Sequence, residues 1–258
     1  MAVQLYTAAE QGEGEFDGGK ITEQKPIGFP GEGSAVKRVG PLFYWAWAFA
    51  QQDGYIPPHP HQAFEILTYV VQGTAVHGDS LGTNSEIGPG GAQVMQTGSG
   101  VSHEERFVGP DMEGFQIWFE PDLRKSRLTP PTYHQFEHEQ FPSVRQDGVT
   151  VKSVIGGGSP VVLATDAAMW DLTFSPGGEY RRKLAAGRSL ALLAIRGNGM
   201  LDRADDTPHS VSVSHKDFVV IDAEAGEDLV IKAGEEGALR LIAIEVPTRV
   251  DYPLYNKR

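Results

Sequence analysis

His59 and His61, separated only by Pro60 in the run PPHPHQAFE, are the first residues whose type and spacing suggest chemistry. In extended backbone, residues i and i+2 project to the same side. An extended segment here therefore aims both imidazoles at one point, while Pro60 projects the other way and stiffens the chain. Such a pair alone also fits two surface histidines. His103 and Glu105 in GSGVSHEER repeat the spacing. Two extended segments, each presenting two such side chains on one face, close three histidines and one carboxylate around a metal ion. Three neutral nitrogens and one oxygen suit a borderline divalent ion: Fe(II), Mn, Ni, Cu or Zn. Glu104 points away by the same alternation.

Other suggestive segments carry less. His77, just before the turn DSLG, reads as a strand-face residue. The run HQFEH, His134 to His138, matches the H-x-x-E-H zinc signature in letters. That chemistry needs both histidines on one helix face, and the run lies between Pro131 and Pro142 without helical context. The Gly-rich pieces GPGG and GGGSP lack a following Lys or a dinucleotide-binding layout and read as turns. No Ser-His-Asp set stands out.

The elements that must position these residues read as strands. Leu42–Phe49, Phe64–Val71 and Gly114–Phe119 are rich in β-branched and aromatic residues with Gly or Pro nearby. Leu128–Pro142 is polar, carries three prolines, and reads as an extended crossing between domains. Strands resume at Val149–Ile155, Met169–Phe174, Leu190–Ile195, Phe218–Ile221 and Leu239–Val246. The two halves also resemble each other. TYVVQGTAV around Gly73 matches LLAIRGNGM around Gly197, and FQIWFEP from Phe115 matches LIAIEVP from Leu241. The offsets are 197 − 73 = 124 and 241 − 115 = 126, which points to a duplicated β-domain.

The 258 residues carry 31 Gly and 17 Pro, and no long stretch has a 3.6-residue apolar period, so the composition favours many short strands. A net charge of −12 disfavours binding to nucleic acid or to an anionic membrane. With no cysteine, thiolate sites, disulfides and thiol nucleophiles are excluded. The first residues lack a signal-peptide layout, and the apolar runs are too short to cross a bilayer. The sequence reads as soluble and cytoplasmic.

The runs HPHQAFEILTYVVQG and HGDSLGTNSEIGPGGAQVMQTGSGVSHEE closely resemble the pirin family of bicupins. Members of that family read HPHRGFE, a strand, a DSLG hairpin, a GPGD turn and GRGIxHxE. The match is dense from residue 54 to residue 121 and looser beyond, where PTYHQF and FPSV are similar to the family's crossing peptide. The resemblance implies an all-β bicupin of two jelly-roll (double-stranded β-helix) barrels. It divides the chain into a metal-binding domain, 1–140, and a C-terminal cupin-like domain, 141–258. It implies one metal ion, Fe(II) first among the candidates, held by His59, His61, His103 and Glu105.

In pirins the Glu of HxE takes the role that Glu65 would have in other cupins, so Glu65 is expected to be structural. At offset 124, His59 and His61 map to Lys183 and Ala185; at offset 126, His103 and Glu105 map to Leu229 and Ile231. No ligand type survives, so the second domain is expected to be metal-free. Gln62, Ala63 and Ser99 stand where the family has Arg, Gly and Arg, which removes two positive charges near the pocket mouth. Expected lining residues are Phe64, Met95, Phe107, Phe115 and Trp118. The implied activity is that of a quercetin 2,3-dioxygenase: an oxidoreductase taking a flavonol-like aromatic substrate and O2, with Glu105 as general base. The alternative is a metal-dependent, redox-sensitive regulator working through a protein partner.

Overall fold

The computed structural model describes residues 2–204 and 210–257. Nearly all regular structure is strand, as the short apolar runs and frequent turn residues require. The chain forms two compact units, one of Met1–Ala9, Phe141–Val162 and Asp166–Arg249, the other of Glu10–Gln140, Leu163–Thr165 and Val250–Arg258. A simple division at residue 140 is therefore crossed at both ends of the chain. The physical reason at the start is local: Ala2–Tyr6 adds an edge strand to Phe218–Ala223, where Val3 and Leu5 pack on the C-terminal core.

The N-terminal unit, Glu10 onward, is organised by two long antiparallel strands, Glu65–Asp79 and Val101–Phe119. They pair along their length, from Glu65 opposite Phe119 to Asp79 opposite His103. The two halves of this ribbon have different neighbours. Near Glu65 and Phe119 it is flanked by Ala92–Gln96 and Leu42–Ala50. Near Asp79 and His103 it is flanked by Asn84–Ile87 and Gly54–His61. Between the halves the register shifts twice around Gly73, which adopts a φ of 75°, a value open to glycine at little cost. One cluster, including Ala48, Val70, Ala75, Ile87 and Phe107, draws on both halves, so the sheet folds over its own core. The hydrogen-bonded strand path stays open, ending at Thr132–Phe136 and Gly12–Phe16. This is the double-layered form of a jelly roll.

The C-terminal unit repeats this plan with a seven-stranded and a four-stranded sheet. Their shared core includes Trp170, Leu172, Phe174, Leu192, Leu229 and Ile231. Arg188–Arg196 and Leu239–Pro247 are antiparallel neighbours, as the matched strands of the other unit are. Gly197 has a φ of 71°, close to that of Gly73. The expected strands are all present, generally a little longer than their apolar runs. Within the expected crossing segment, Thr132–Phe136 pairs with Ala92–Gln96 as a sheet strand, and His138 lies in a short 3-10 turn, so HQFEH is not helical. Among the described residues no helix is long and apolar enough to cross a membrane.

Candidate metal centre

The HPH run lies on the strand Gly54–His61, which pairs with the first half of Val101–Phe119 so that His59 faces His103 and His61 faces Val101. The register shifts between Ile56 and His59, where Pro57 and Pro58 have no N–H to give to the ladder. Ring centroids lie 4.4 Å apart for His59 and His103, 4.7 Å for His59 and His61, and 4.8 Å for His61 and His103. One ligand-type atom from each falls within 4.8 Å of the others, the single such group among the described residues.

The nitrogens are presented in a usable state. His59 Nδ1 lies 2.9 Å from the Pro57 carbonyl, which can only accept, so Nδ1 is the donor there and Nε2 is the nitrogen that the neutral ring offers to a metal. Burial, then the neighbouring His103 and His59, push the His61 imidazole down to about 3. Burial, then His59 and His77, push His103 down to about 3. Both rings are therefore neutral at ordinary pH, as metal ligation needs. His61 Nε2 and His103 Nε2 stand 3.0 Å apart. Two metal–nitrogen bonds of about 2.1 Å with that separation enclose an angle of about 90°. The donor set thus fits one divalent ion.

Glu105 is brought to the same inner face but stands outside the group of three. Its carboxylate accepts from Gln116 Nε2 at 2.7 Å and from Thr68 Oγ1 at 3.5 Å, a long contact. Gln116 is itself oriented by Trp118 Nε1, which donates to Oε1 at 3.0 Å. Glu65 points elsewhere: it accepts from Gln96 Nε2 and from the backbone N–H groups of Ala164 and Thr165, which pins the 163–165 segment.

An aromatic wall adjoins the histidines. The Trp118 ring lies 4.8 Å from that of His61, edge-on, and Phe29, Tyr44 and Phe64 lie 5.4–5.8 Å from Trp118. Of the expected lining residues, Phe64, Met95 and Trp118 belong to this cluster. Phe107 lies farther along the inner face, among Ile21, Ile56 and Ile87. Phe115 is on the opposite face, against Trp45 and Trp47, because strand alternation separates it from Gln116 and Trp118.

Sequence reasoning missed Phe29, Phe43 and Tyr44. A register shift between Leu42 and Tyr44 brings the consecutive Phe43 and Tyr44 into one cluster, which simple alternation does not foresee. It also missed Lys257, whose ammonium lies 4.3 Å from the Phe43 ring and donates to the carbonyls of Lys37 and Phe43. A third omission is the buried pair Glu23–Lys25, 3.3 Å apart. Burial raises the Glu23 carboxyl; Lys25 opposes the rise and the charge of Glu105 adds to it.

The sequence pattern of the Pirin family matches residues 45–119. A pirin-like protein of Caulobacter vibrioides is 32% identical over 198 residues, covering 70% of this chain and 69% of its own length. The chain belongs to the pirin family. A Pseudomonas aeruginosa protein whose name contains quercetin 2,3-dioxygenase is 30% identical over 201 residues, covering 72% of this pirin and 70% of itself. The crystal structure of the Escherichia coli pirin YhhW in complex with nickel(II) superposes with a TM-score of 0.77 at 21% identity, over 95% of this chain and 99% of its own. The fold is therefore the pirin bicupin fold.

The departures from the family pattern have structural consequences. Ala63, where the family has Gly, is fully buried with a φ of 73°. An alanine there bears the left-handed strain that a glycine avoids. Gln62 takes up a local bond, donating from Nε2 to the Ser99 carbonyl at 3.0 Å.

Proposed function

We propose that this pirin is a metal-dependent dioxygenase that acts on quercetin-type flavonols with O2. The observation that carries the reading is the convergence of three imidazoles, beside an aromatic wall, with a held carboxylate on the same inner face. The name of the Pseudomonas aeruginosa relative supports the substrate class. His59, His61 and His103 would hold the ion, Fe(II) first among the candidates, with Glu105 as fourth ligand when its carboxylate turns from Gln116. When bound, the ion supplies a Lewis acid with open positions for a chelating oxygen and for O2.

The chain's own residues do the rest. Trp118, Phe64 and Tyr44 offer flat apolar surface to an aromatic substrate and exclude water. Glu105 accepts the proton of the substrate hydroxyl. Gln116 and Thr68 orient that carboxylate, and Trp118 orients Gln116 in turn. A cysteine-free chain suits a reducing cytoplasm, where we place the activity.

The test is oxygen uptake by the Fe(II)-loaded protein with a flavonol. Glu105→Gln should retain part of the metal and lose about 100-fold or more in turnover at matched occupancy, because an amide cannot take the proton. Normal turnover of the amide variant would move the base elsewhere. No uptake with any flavonol would favour the regulator reading.

A further inference from the structure

The proposed ligand His103 has a second nitrogen to account for. Its Nε2 faces His61, while its Nδ1 is buried and makes no hydrogen bond. A histidine that binds a metal through one nitrogen almost always passes the proton of the other to a carboxylate, a carbonyl or a water, which fixes the ring and strengthens the ligand. A buried N–H left unpaired costs about 1–3 kcal/mol.

A built pair lies beside the His103 ring. In the ladder Asp79 is the cross-strand partner of His103 and His77 that of Glu105, so all four share one face. His77 Nε2 lies 2.9 Å from Asp79 Oδ2, with side chains 4% and 0% exposed. The His77 ring centroid is 5.4 Å from that of His103, and its other neighbour is Tyr133, stacked at 4.4 Å. Asp79 Oδ1 accepts from the N–H groups of Leu81 and Thr83, so the DSLG turn clamps the carboxylate. The Thr83 side chain bonds the same carboxylate, which fixes it further. Asp79 and His77 are also among the charged and titratable groups that His103 senses.

We propose that the Asp79–His77 pair is the outer support of the metal centre, taking up the His103 Nδ1 proton through one bridging water. The inference rests on His103 being a ligand. Both residues are positioning residues: they act on the ion through His103. On this reading the DSLG motif serves the chemistry of the site as well as making a hairpin turn, since it holds the carboxylate at the end of the relay.

The test measures Co(II) affinity by chelator competition and the visible absorption of the Co(II)-loaded protein, with urea midpoints of the metal-free proteins as the check on folding. Asp79→Asn keeps Oδ1 for the Leu81 and Thr83 amides and loses the Oδ2 acceptor. His77→Phe keeps the stack on Tyr133 and loses the donor. Each should weaken Co(II) binding ten- to a hundredfold and shift the absorption, with little change in midpoint. His77→Gln, which places a donor near the position of Nε2, should keep most of the affinity. Wild-type affinity and absorption in all three variants would overturn the inference, as would losses that merely track the urea midpoints. The underlying metal reading fails separately: it falls if wild type binds no Co(II), or if His61→Ala binds as tightly as wild type.

Discussion

At the scale of the residue, what matters is that His61 and His103 are held neutral and that all three imidazoles are aimed together before any ion arrives. Removing one of three close nitrogens opens the site, whereas His138 lies in a short turn of the 132–140 segment. His61→Ala should therefore weaken divalent-metal binding by at least about 100-fold, and His138→Ala should leave it unchanged in the same titration. The same neutrality carries a cost in acid. His61 and His103 sit at about 3 when folded, against an ordinary 6.5. Between those values the unfolded chain binds more protons than the folded one, so stability is full above about 6.5 and is lost as the pH falls towards 3. Metal-free protein should show a urea midpoint that drops from pH 7 to pH 5, before most carboxylates titrate. A flat midpoint over that interval would mean that these rings are not held neutral.

At the scale of the element, the fold depends on where the long strands change neighbours. At Gly73 a Cβ would meet Met112 Cα at 2.7 Å and Val108 O at 3.0 Å, both backbone atoms, on top of the positive φ. The corresponding Gly197 is tighter still, with Ala238 O at 1.9 Å. Gly187 has the same φ of 75° as Gly73 but open space around it. Gly187→Ala should accordingly cost only about 1 kcal/mol of conformational strain. Gly73→Ala and Gly197→Ala should each cost at least about 2–3 kcal/mol, since backbone must also move. Chemical denaturation of the three variants checks the order. Equal losses would show that the strands yield at the crossing.

At the scale of the whole molecule, two similar units place different residues at matched positions. The strands Glu179–Leu184 and Glu227–Ala233 lie where the duplication offsets place the counterparts of Gly54–His61 and of the first half of Val101–Phe119. Where the second pair would offer ligands, Leu229 and Ile231 are 1% and 3% exposed and belong to the core. Protein purified without added metal and then loaded should bind one divalent ion per chain. Elemental analysis giving two tightly held ions would contradict this.

The all-β class and the pairing by twos of the ligand-type residues were legible in the residue order. They depend on short-range facts: side-chain alternation along a strand, proline's stiffness, and the repeat of one apolar pattern. Tertiary structure decided what depends on distant segments and on irregular register. It turned Phe115 away from the pocket and brought in Phe29 and Phe43. It hung Glu105 on Gln116 and Thr68, outside the cluster of imidazoles. It set Asp79 and His77 beside His103, and it gave the first strand to the C-terminal unit. Apart from the turn of Phe115 away from Gln116 and Trp118, none of these follows from alternation, because a single shift in a ladder reverses the face of every residue beyond it.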